Sequence, residues 1–157
     1  MALLEETAIN QLAALERSIV GVKNSYNYSA NPDVLAEAQL PAVLHIIPSF
    51  TSELSGHHNR WRNTLKVLSI LFVKPRLSKG GQLKFLENDV IPYGEKWRTK
   101  FQTDANIKTL FAQLSNSTQV YLAEGEYGAG PPMLQFAGAD YFGWVFTFQI
   151  VEDLAQN

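Results

Sequence analysis

The stretch Tyr141-Phe-Gly-Trp-Val-Phe-Thr-Phe-Gln-Ile-Val-Glu152 constrains the fold more than any other part of the chain. Phe142, Trp144, Phe146, Phe148 and Ile150 recur at every second position, the side-chain period of a strand. An aromatic face of this size is too large to leave in water and has to cover a core or a partner. Tyr141, Gly143, Val145, Thr147, Gln149 and Val151 form the opposite face, which is mixed rather than charged. The segment therefore reads as a central strand with something packed on both sides. Gly143 is the one residue in it that weakens a strand.

Taken in order, the rest of the chain supplies partners for that strand. Leu4, Ala8, Leu12, Leu15 and Ile19 repeat at helical spacing, with Glu5 and Glu6 at the favourable N-terminal end and Gly21 as a stop. This helix either covers a sheet or docks on another subunit. Lys23 to Gln39 is rich in Asn, Ser and Asp and reads as a loop, with a short helical turn after Asn31-Pro32-Asp33; Tyr26 and Tyr28 lie on it. Pro41-Ala-Val-Leu-His-Ile-Ile-Pro48 is a first strand with a proline at each end. Leu65 to Lys74 is a second, with Lys66 and Lys74 on one face and Ser69 on the other. Gly56 marks a turn that would join Pro41–Glu53 and Arg60–Lys74 into one long hairpin.

Leu83, Leu86, Val90, Tyr93, Trp97 and Phe101 follow the helical rhythm over about 82–101, with Pro92 predicting a kink and Gly94 weakening the same place. Asp104 caps a second short helix with the stripe Ile107, Leu110, Phe111 and Leu114. Thr118 to Glu124 reads as a short strand, Gly125 to Pro132 as a flexible connection, and Met133 to Ala137 as the approach to the last strand.

Chemistry-bearing groups are sparse. The chain has 157 residues, the length of one domain (1–157), with no cysteine, so disulfide scaffolds, thiol catalysis and cysteine-ligated zinc are excluded. A net charge of -2 leaves no global basic field and disfavours a dedicated nucleic-acid binder. The acidic N-terminus and the lack of a long apolar run point to a protein made inside a cell without targeting information and without a membrane partner. Gly80-Gly81 beside Lys79 lacks the P-loop pattern. His45 is a lone strand histidine with no matching acid nearby in sequence, and reads as packed or hydrogen-bonded rather than as a ligand. His57 and His58 are adjacent, so on a strand they point to opposite faces and do not share a metal. With Arg60, Trp61 and Arg62 they form a basic-aromatic patch with two readings: contact with nucleic acid or an acidic partner, or a solvated hairpin tip. Glu124 and Asp140 would be an acid pair only if they faced each other across a hairpin, and exposed acids at strand ends are the plainer explanation. No catalytic residue, metal or cofactor is expected, and the chain does not read as an enzyme.

The order of elements, together with Pro41-Ala-Val-Leu, the strand Leu65–Val73, the helices around Val90 and Leu110–Leu114, and the Tyr141-Phe-Gly followed by alternating hydrophobics, resembles the tail terminator (tail-completion) and neck proteins of long-tailed bacteriophages. The resemblance covers most of the chain as an architectural pattern. It implies an α+β fold, a mixed, mainly antiparallel sheet with a long hairpin and helices packed on one face. It implies a structural virion protein: a homohexameric ring that caps the tail tube, joins it to neck or connector proteins, and passes DNA through its bore without sequence-specific binding. A virion location in tail or neck, after synthesis in the host cytoplasm, follows from the same resemblance. The long polar segment Ser49–Asn63 departs from the pattern, and reads either as the usual hairpin or as an insertion. Other head–tail connector or baseplate subunits are the alternative within the class. A small enzyme or ligand-binding domain with a cleft lined by Trp97, Trp144 and tyrosines is the alternative outside it. On the ring reading the function lies on the periphery: the hairpin near His57, His58, Arg60, Trp61 and Arg62, the N-terminal helix, and the loop from Glu124 through Glu126 and Tyr127 to Pro132.

Overall fold

A computed structural model describes residues 4–55, 60–75, 85–103, 118–127 and 134–155. Its frame is a six-stranded sheet built from β1 (Asn24–Ser25), β2 (Ala42–Ser55), β3 (Arg60–Pro75), β4 (Thr118–Tyr127), β5 (Leu134–Phe136) and β6 (Ala139–Ala155). The order across the sheet is β1-β2-β3-β6-β4, with β5 also paired to β6. Only the β1–β2 pair among these is parallel. The fold class is α+β, with a mixed, mainly antiparallel sheet, as expected from the order of elements.

The aromatic strand is central. β6 lies between β3 and β4, and Phe142, Phe146, Phe148 and Ile150 are buried on the face turned to the helices. Gly143 is a packing requirement rather than a weak point, because a Cβ there would collide with the Leu71 carbonyl oxygen of β3. The opposite face is covered more lightly. Ala42, Leu44, Phe72 and Tyr141 pack there with Leu40, Tyr26, Leu35, Leu134 and Phe136. Ala137 and Gly138, both at positive φ, make the two-residue turn that folds β5 back on β6.

The helical layer consists of α1 (Leu4–Arg17) and α2 (Pro92–Arg98), the latter flanked by π-helical turns at Leu86–Val90 and Thr99–Thr103. Ala8, Leu12, Leu15 and Ile19 turn the predicted stripe of the first helix onto the sheet, and Gly21 at φ +99 ends the turn that follows it. The anticipated break at Pro92 is a change of ladder. Just before it the Ile91 N–H reaches back five residues to the Leu86 carbonyl (2.9 Å), and α2 then starts with Pro92, which has no N–H to leave unpaired, in its first turn. The Gly94 N–H bonds the Ile91 carbonyl (3.0 Å), and the Val90 carbonyl accepts instead from the Trp144 indole N–H (2.7 Å). Gly94 lets that indole approach: a Cβ would sit 2.7 Å from its ring.

Four local expectations are corrected. The helical turn in the 23–39 loop is at Glu37–Gln39, and β1 precedes it. Pro48 is inside β2, not at its end; it falls where the register slips between Ile46 and Ser49, the bulge that tolerates a missing donor. A second slip between Phe72 and Lys74 separates the two lysines of β3, so that the Lys74 ammonium lies over the Phe85 ring on the helical side (5.3 Å) while Lys66 pairs with Ser49 and Gln149. Gly125, Glu126 and Tyr127, read as part of a flexible connection, continue β4. The stripe Ile107, Leu110, Phe111 and Leu114 lies outside the described residues.

Candidate interface on the projecting hairpin

Residues 49–55 and 60–63 are the outer part of the β2–β3 ladder, not a separate insertion: Ser49 pairs with Lys66 and the ladder continues to Ser55 opposite Arg60, with 56–59 outside the described residues. Alternation along it separates two faces. Thr51 and Glu53 lie opposite Thr64 and Arg62 on one face; Phe50, Ser52 and Leu54 lie opposite Leu65, Asn63 and Trp61 on the other. The second face continues the apolar surface that the helices cover at the base. The cover ends across a single rung. Leu65 is 1% exposed, whereas Phe50 beside it is 55% exposed. Further out Leu54 is 52% and Trp61 37% exposed. Between the two apolar rungs the Ser52 hydroxyl donates to Asn63 Oδ1 (2.6 Å), which ties the strands where no core does.

Of the residues singled out from sequence, Trp61 lies on this apolar face and Arg62 on the polar one, opposite Glu53. Arg60 begins β3 opposite Ser55 and Ala155. His57 and His58 lie outside the described residues. Glu124, Glu126 and Tyr127 are not near these: their β4 positions pair with Thr147, Val145 and Trp144 of β6. Thus the candidate interface divides into two places on the sheet. The acid pair considered for Glu124 and Asp140 is not formed, since Glu124 faces Thr147 and Asp140 faces Gln135. Trp97 and Trp144 do not line a cleft. Both are buried, and they sandwich Phe146 with centroid distances of 4.5 and 5.3 Å and nearly parallel rings.

Sequence reasoning missed a buried polar network at the base. Glu16 of α1 is fully enclosed. Its Oε1 lies 2.6 Å from His45 Nε2, and its Oε2 accepts from the Trp97 indole N–H (3.0 Å). His45 Nδ1 donates to the Tyr26 carbonyl oxygen (2.8 Å), which has no proton of its own to give. One proton therefore lies between Nε2 and Oε1, and every polar atom of the two side chains is partnered. The buried network joins α1, β2 and α2. The acid missing near His45 in sequence is 29 positions away, so local spacing gave no signal for it.

A shallow groove of about 700 Å³ lies at the end of α1, lined by Ile19, Val20, Pro92, Glu95, Lys96, Thr99 and Lys100. The Lys96 ammonium is engaged there by the Val20 carbonyl (3.0 Å) and the Tyr93 ring (4.4 Å). Burial, and secondarily the charge of Asp89, pushes the Tyr93 phenol above its usual 10.0. Among the described residues no group of three or more His, Asp or Glu is placed to hold a metal ion, and no helix is long and apolar enough to cross a membrane.

Fold and surface together define an α+β protein with an enclosed base and an outer hairpin, flanked by β6, that carries uncovered apolar side chains. No protein-family model matches the chain, and the curated proteins contain no match to it.

Proposed function

We propose that this protein is a ring-forming structural subunit of the phage tail-terminator type, whose projecting hairpin meets the neighbouring subunit or the tail tube. The supporting observation is the uncovered apolar row Phe50, Leu54 and Trp61 on an arm that extends past the helices. Side chains of this size clustered on one side of a hairpin mark a contact surface. The sequence resemblance supplies the kind of assembly: a ring, expected to be a hexamer, that caps the tail tube, joins it to neck or connector proteins in the virion and lets DNA pass. Such a role needs surfaces that match head to tail and close by rotation, not a catalytic group. Another head–tail connector or baseplate subunit would use the same surface. Electron micrographs of the purified protein, alone and with tail tubes, test the proposal: rings or capped tubes are expected, and a protein that stays monomeric and leaves tubes uncapped would contradict it.

A further inference from the structure

We infer that the arm makes its contact by strand addition: the outer edge of β2, residues 49–55, pairs with β4 of a second copy, so that one sheet runs on from subunit to subunit. The inference rests on the ring reading and specifies the contact that would build it.

The inner part of the same edge is closed. β1 pairs with Ala42 and Val43, and the Tyr26 N–H then donates to the Val43 carbonyl (3.1 Å). One step on, the Asn31 side chain takes the place of a strand, donating to the His45 carbonyl (2.8 Å) and accepting from the His45 N–H (3.3 Å). Past Pro48 this sealing stops. Among the described residues nothing pairs with the outer edge of β2, and residues 49–55 contain no proline or lysine of the kind that blunts an edge. β4 is the opposite margin of the sheet. It pairs with β6 on one side, and among the described residues no strand lies on its other side.

Strand direction fits these two margins together. β2, β3, β6 and β4 are successive antiparallel neighbours, so β2 and β4 run in opposite directions. A ring axis turns each copy but preserves its sense along the axis, so a neighbour whose strands run along that axis presents its β4 antiparallel to β2, the pairing with perpendicular hydrogen bonds. The ladder also sets the level. Thr118 is level with Ser52 through Glu152 and Asn63, and Tyr127 is level with Val43 through Trp144 and Leu71. Without stagger, 118–121 meet the open edge at 49–52 and the rest of β4 meets the sealed part. The stagger that accompanies closure of a sheet lengthens the contact toward the tip. Main-chain bonds give such a contact its strength, and Phe50 and Leu54 give it side-chain selectivity.

The chain has no cysteine, so introduced thiols report alone. A Ser52→Cys/Thr118→Cys protein treated with a short bismaleimide is expected to give a ladder of covalent oligomers on a denaturing gel. Either single variant gives none, and a mixture of the two gives dimers only. Thr51→Cys/Gln119→Cys, one rung along, repeats the test should the first pair not fold. Dimers from Ser52→Cys alone would show a two-fold contact between β2 edges and overturn the inference. Absence of a ladder in a protein whose native mass shows a ring would also overturn it, while leaving the ring reading intact. A monomeric native mass would remove both.

Discussion

At the base of the β2–β3 hairpin Val43 and Leu71 face each other fully enclosed; toward its tip Leu54 and Trp61 face each other half in water. The two strands are the same, and their backbone pairing runs on past the slip at Pro48 to Ser55 and Arg60. What differs is the surroundings. The base has helices on one face, a loop and a short hairpin on the other, a sealed edge and a polar network with all its bonds made. The arm has none of these among the described residues. The contrast teaches that pairing alone does not bury a hairpin, and that an edge sealed by one asparagine at the base has, among the described residues, no such seal further out. The base holds the fold, and the arm carries its apolar side chains uncovered.

The sharpest way to break this division is to damage the base network. His45→Ala leaves the Glu16 carboxylate enclosed without its partner, and should cost about 3–5 kcal/mol in denaturant unfolding. Gly94→Ala forces a methyl against the Trp144 ring and shifts the helical layer; a loss of about 1–3 kcal/mol is expected by the same measurement. Glu16→Gln should cost less than His45→Ala, about 1–3 kcal/mol. One amide N–H can donate to a neutral His45 while the carbonyl accepts from Trp97, and only the second N–H is left without one of these partners. A large loss in Glu16→Gln together with a small one in His45→Ala would mean that the network is not the tie described.

Alkali gives a smaller effect. The phenol of Tyr93 is held above 10.0 in the folded protein, chiefly by burial. Above that pH the unfolded chain releases a proton that the folded one retains, so stability is full below pH 10.0 and falls as pH rises through the folded value. Tyr93→Phe should flatten that part of the stability profile, and an unchanged slope would refute the assignment.

The fold was largely legible because its signals are periodic. The period-2 aromatics of β6 gave a central strand, and the stripe Ala8, Leu12, Leu15 and Ile19 gave a helix with its buried face. The turn at Ala137-Gly138 and the register slips at Pro48 and Val73 were not legible. A slip is set by how two strands meet: Pro48 marks a place without a donor but fits a strand end as well as a bulge, and Val73 looks ordinary in its own neighbourhood. The Glu16–His45–Trp97 network was hidden for the same reason, its members being drawn from three elements far apart in sequence. At the candidate site, Trp61 and Arg62 were found because charge and aromaticity concentrate near the turn. Phe50 and Leu54 were passed over, since a polar segment masks two apolar residues until the register puts them beside Trp61.

The arm should behave in the opposite way to the base. Phe50→Ser/Leu54→Ser removes exposed apolar groups, so unfolding of the isolated subunit should change by no more than about 0.5 kcal/mol. The native mass of this variant beside that of the unaltered chain tests the central claim most directly. The account predicts a discrete multiple of 17.6 kDa for the unaltered chain and 17.6 kDa or an incomplete assembly for the variant, with both folded. Equal masses for the two proteins would contradict it.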